Sequence, residues 1–78
     1  MPTQEFIAAK IREAAAPTVG TVSDHELQIT PIDVSALPYN WELVPPEDRL
    51  RNEAEVKRVE AIHAAAESVR EEFPRIDW

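Results

Sequence analysis

Asn52-Glu-Ala-Glu-Val-Lys-Arg-Val-Glu-Ala-Ile-His-Ala-Ala-Ala-Glu-Ser-Val-Arg-Glu-Glu-Phe73 lies within the longest stretch of the chain without proline or glycine, 47–73, and its periodicity decides the fold. At 100° per residue, Val59, Ile62, Ala66, Val69 and Phe73 fall within an arc of about 80°, the stripe a helix turns toward a core. Glu55 would lie inside that arc. Asn52 three residues earlier gives it a different role: the pair reads as a capping box, with the Glu55 side chain turned back to the Asn52 N–H. A helix is therefore expected over about 52–72, with residues 46–50 forming a separate turn or continuing it. On the opposite face Glu53, Glu60, Glu67 and Glu71 align within about 40°. Glu53 to Glu60 and Glu60 to Glu67 each span about 10 Å at about 1.5 Å of rise per residue. Lys57 borders this row, with Glu53 at i−4 in the favourable orientation.

Outward from this segment, the seven prolines partition the chain. Proline lacks the N–H and clashes with the preceding turn, so it is excluded from helix interiors. Pro2, Pro17, Pro31, Pro38, Pro45, Pro46 and Pro74 confine helices to 3–16 and 47–73. Thr3 is an N-cap for the first, Phe6, Ile7, Ile11 and Ala14 share one face, and Pro17 is expected to stop it. Between the helices, Thr18–Ser23 and Leu27–Val34 are rich in β-branched residues and flank Asp24-His25-Glu26, which predicts a hairpin with a short polar loop. Pro31 demotes the second run to an edge or ends it there. Tyr39–Val44 offers a third short strand, with Trp41 and Leu43 on one face. In the tail, Ile76 and Trp78 are expected to pack back onto the body. The expected fold is α+β: two amphipathic helices packed on a small two- or three-stranded antiparallel sheet, in the order α-β-β-(β)-α, as a single small domain over 1–78. The runner-up is a mostly helical protein that dimerises through its last helix.

Composition narrows the function. Fifteen acids against eight Lys and Arg leave a net charge of −7, the wrong sign for binding nucleic acid directly and the right one for a basic protein partner. There is no cysteine, so disulfide, zinc-ribbon and thiol chemistry are absent and a reducing, cytoplasmic setting is expected. The single glycine, Gly20, excludes phosphate-binding glycine loops. No apolar run approaches the 18 or so residues of a membrane span. Lys10, Arg12 and Glu13 break any signal-peptide core.

The chemistry-bearing residues are sparse. Glu60-x-x-His63, with Glu67 nearby, has the spacing of a carboxylate–imidazole pair, but di-iron bundles need that motif on two helices and further carboxylates on two more. Asp24-His25-Glu26 reads as a polar turn. Ser23, Ser35 and Ser68 sit in no nucleophile elbow. No catalytic, cofactor-binding or metal-binding residue is expected, and the chain is read as no enzyme. Lys57-Arg58 is a lone basic pair on a helix surface. Tyr39-Asn40-Trp41, fenced by Pro38 and Pro45, is either an aromatic contact surface or the core plug of a domain short of large side chains.

The stretches ITPIDVSALPYNWELVPPEDR and EAEVKRVEAIHAAAESVREEFP resemble those of short uncharacterised proteins carried by bacteria and prophages. In size, acidity and lack of cysteine the chain also resembles the small anti-CRISPR proteins of phages. That group is defined by function and varies in fold, so the resemblance assigns no residue. It implies a small acidic module that inhibits or modulates a larger basic, nucleic-acid-binding partner, here a CRISPR effector. The expected partner-binding residues are Glu53, Glu60, Glu67, Glu71, Tyr39 and Trp41, on a monomer or homodimer. The alternative is a structural module that dimerises through its C-terminal helix.

Overall fold

Thr3 begins the first helix as the sequence predicts. Its hydroxyl accepts a hydrogen bond from the Phe6 N–H at 3.2 Å, satisfying one of the donors a helix start leaves open. The computed structural model describes residues 1–45 and 52–78, and in it this helix, α1, spans Gln4–Val19. The turn expected over residues 46–50 lies outside the described residues. The buried stripe of α1 is Ile7, Ile11 and Ala15. Ala14 is exposed, because successive i, i+4 steps from Ile7 lead to Ala15. Phe6 lies at the edge of the stripe, its ring edge-on to Phe73 with centroids 5.2 Å apart.

Pro17 does not stop α1. It lies within the last turn, where its missing N–H forfeits one intrahelical bond and the helix continues through Val19. Gly20 ends it instead. Its N–H bonds the Ala16 carbonyl at 2.9 Å, and its φ of 73° is one that a side chain would disfavour.

This extension removes the first expected strand. Thr18 and Val19 belong to the helix, so no hairpin forms from Thr18–Ser23, and Asp24–Glu26 fold into a 3-10 turn rather than a hairpin loop. Strand β1 is the shorter Gln28–Pro31. Its partner β2 is Trp41–Val44, the segment expected as a third strand. The pair is antiparallel, with Ile29 opposite Leu43 and Pro31 opposite Trp41. One further bond, Ile32 N–H to the Asn40 carbonyl at 2.9 Å, carries the pairing past the end of the ladder.

Helix α2 spans Glu53–Glu72, and the Asn52 side chain accepts from the Glu55 N–H at 2.9 Å, the Asn52 half of the expected box. Ile62, Ala65, Ala66 and Val69 are buried. The order is thus α-β-β-α, an α+β arrangement with a two-stranded antiparallel sheet. Ile7, Ile11, Trp41 and Ile76 form the fully buried centre of one core. Trp41 is the plug: it has no solvent exposure, and its indole Nε1 donates at 2.9 Å to the carbonyl of Phe73, the C-cap of α2. Large apolar body and polar handle are both satisfied.

The tail packs back through Ile76 but not through Trp78, whose ring stays exposed, and Asn40 holds it. Its Oδ1 accepts from the Ile76 N–H at 2.9 Å, its Nδ2 donates to the Ile76 carbonyl at 3.0 Å, and its own N–H donates to the Pro74 carbonyl at 3.1 Å. Ile76 is thereby seated in the core. Asp77 then bonds the Pro2 carbonyl and forms a parallel bridge with Thr3, so the tail runs beside the start of α1.

Candidate functional site

The outer face of α2 is set by the same periodicity that buries its inner one. Glu53, Glu60, Glu67 and Glu71 are all exposed. Two of the four have near neighbours: Glu53 pairs with Lys57 at 3.3 Å, and Glu67 lies 3.3 Å from His63 Nδ1, an ion pair when the imidazole is protonated. Among the described residues Glu60 and Glu71 have no ion-pair partner. Both salt bridges are solvated i, i+4 contacts that contribute little to stability, so the row remains a strip of hydrated carboxylates.

The aromatic segment divides. Trp41 is not a contact residue, because it is the core plug described above. Tyr39 is half-buried and lies at the C-terminal end of the acidic row. The Arg70 guanidinium sits 3.9 Å over its ring, a cation–π stack. Pro38, Tyr39, Glu67, Arg70, Glu71 and Pro74 line a shallow open groove there. The structure therefore brings together Glu67, Glu71 and Tyr39, places Glu53 and Glu60 further along the same helix, and leaves Trp41 inside.

The charged residue that the sequence reading placed on the surface is Arg58. Its guanidinium turns inward and donates from Nε and Nη2 to the two oxygens of Glu26, at 2.7 and 3.1 Å. It also donates to the Val19 carbonyl at 2.9 Å and the Thr21 carbonyl at 2.6 Å. Glu26 is buried and accepts in addition from the Ser23 N–H and hydroxyl, at 3.2 and 3.1 Å. The Arg58 hydrogen bonds lower the Glu26 carboxyl from its ordinary 4.5 to about 2, against the opposing effect of burial and with help from Ser23. A cation at the C-terminal end of α1 also suits the helix dipole. This cluster is a joint between α1, the 3-10 turn and α2, closed to any ligand by its own hydrogen bonds. Its one local signal in the sequence is the Ser23-x-x-Glu26 spacing of a capping box.

No group of three or more His, Asp or Glu among the described residues is placed to hold a metal ion, and no described helix is long and apolar enough to cross a membrane. Comparison with family models, with curated proteins and with solved structures finds no match.

Proposed function

We propose that the chain is a binding module that inhibits or modulates a larger, basic, nucleic-acid-binding partner through the outer face of α2. In its sharpest form this is an anti-CRISPR protein acting on a CRISPR effector. One observation carries the reading: four carboxylates stand exposed along one helix face of a chain with net charge −7, and two of them have no counter-ion among the described residues. A groove built to hold phosphates presents Lys and Arg at backbone spacing, and a row of carboxylates can occupy it in place of nucleic acid. Tyr39 under Arg70 supplies rigid contact area at one end of the row.

Dimerisation through the apolar face of α2 has less to stand on. Ile62, Ala65, Ala66 and Val69 are buried within one chain, which leaves only the partly buried Val59 and Phe73 of that stripe to meet a second copy. Affinity capture from host lysate identifies the partner, and competition completes the test: added chain displaces nucleic acid from the captured protein in proportion to its occupancy. A partner that holds nucleic acid and the chain at once, with neither weakening the other, overturns the reading.

A further inference from the structure

A second surface stands apart from the acidic row, on the other side of Tyr39. The connection between β1 and β2 and the C-terminal tail form an open groove lined by Ile32, Asp33, Val34, Tyr39, Arg75 and Trp78 among others. It holds two of the few large apolar side chains that the fold leaves in solvent, Val34 at 51% and Trp78 at 53% exposure. Trp78 does not swing freely, because its Nε1 donates to the Asn40 carbonyl at 3.2 Å. An indole held by its edge with its body exposed is a pre-ordered contact group, since little side-chain freedom remains to be lost on binding. Asp33 and Arg75 flank the same groove with opposite charges, and neither has an ion-pair partner among the described residues. The nearest polar contact of Arg75 is a long one, 3.4 Å, to the Leu37 carbonyl.

We propose that this groove is the contact between two copies of the chain, related by a two-fold axis that sets Asp33 of each against Arg75 of the other around the paired Val34 and Trp78 side chains. A two-fold interface joins one patch to itself, so the patch must be self-complementary. An apolar centre bordered by one carboxylate and one guanidinium meets that requirement, whereas a strongly basic or acidic partner would match only one of the two charges. The net charge of −7 on each copy opposes association, and salt screens that repulsion at range, over about 8 Å at 0.15 M. Dimerisation should therefore hold or strengthen as salt is raised, opposite to the behaviour expected of the acidic row with a basic partner. The proposal does not depend on that partner. Its consequence for one is that the dimer displays two acidic rows, which raises avidity where both can engage.

Sedimentation velocity across concentration and salt tests the proposal. The wild-type chain should dimerise. Asp33→Arg and Arg75→Asp should each weaken the dimer by about tenfold or more, since each places like charges together at both symmetric contacts. An equal mixture of the two variants should form the dimer again, because each contact then pairs a guanidinium on one copy with a carboxylate on the other. Val34→Asp leaves the Trp78 bond to Asn40 in place and should give a monomer that circular dichroism shows to be folded. A wild-type chain that stays monomeric up to about 1 mM, where even a weak contact is half occupied, overturns the proposal. So does a dimer that is indifferent to Val34→Asp and is not restored by the mixture, which would place the contact on another face.

Discussion

Arg58 and Glu26, thirty-two positions apart in sequence, meet as a two-pronged ion pair that closes the gap between the end of α1 and the second turn of α2. Every oxygen and most N–H groups of the pair have a partner, which is the condition under which a buried ion pair is tolerated. Removing Arg58 leaves the Glu26 carboxylate buried without its counter-charge.

The pair makes stability depend on acid in a stated window. The Glu26 carboxyl titrates near 2 when folded against an ordinary 4.5, so its contribution is fully present above about pH 4.5. It is lost as pH falls through the folded value. The difference corresponds to roughly 3 kcal/mol. Glu26→Gln should therefore lower the unfolding free energy at neutral pH by about 2–4 kcal/mol. The gap from wild type should shrink between pH 4.5 and 2. Urea melts at a series of pH values check both, and a gap independent of pH would show that the Glu26 charge contributes nothing.

Asn40 uses its side chain as both acceptor and donor toward one residue, Ile76. Asn40→Asp keeps the acceptor but turns the donor into a carboxylate facing the Ile76 carbonyl. The variant should lose about 1–3 kcal/mol, and amide exchange should show the tail from Pro74 onward opening well below the global unfolding energy. Retained protection at Ile76 would mean that Trp78 and Asp77 suffice to hold the tail.

Val69 lies in the buried stripe of α2, whereas its neighbour Ser68 is exposed. Val69→Asp should unfold the domain, because an unpaired buried carboxylate costs several kcal/mol, comparable with the whole stability of a chain this size. Ser68→Asp on the same turn should leave the melting temperature close to wild type. Equal effects of the two would contradict the assignment of the faces of α2.

What the sequence made legible is what local periodicity controls. The α2 stripe, the Thr3 and Asn52 caps and the outward acidic row are fixed by spacing within one helix. Pro17 misled because its rule applies to helix interiors, and in the last turn it forfeits a single bond before Gly20 ends the helix. The strand pairing misled for a related reason. β propensity in Thr18–Ser23 is real, but helix extension removes Thr18 and Val19, and the Ser23–Glu26 contacts curl the next residues into a turn. The inward turn of Arg58 and the exchange of roles between Trp41 and Trp78 depend on which distant segments meet. No spacing rule reaches that far. Trp41 faced inward by strand alternation with Leu43, yet only the carbonyl of Phe73 shows why a tryptophan fits that position.

The central claim concerns the acidic face of α2. The most direct measurement is the association rate with the captured partner across ionic strength, for wild type and for the Glu60→Lys, Glu67→Lys double variant. Exposed charges act mainly on encounter, so wild-type association should be fast at low salt and fall steeply as salt rises. The double variant should associate about tenfold more slowly at low salt, with a visibly shallower salt slope. Equal rates and equal slopes for the two proteins would contradict the claim and leave the row as ordinary solvated surface.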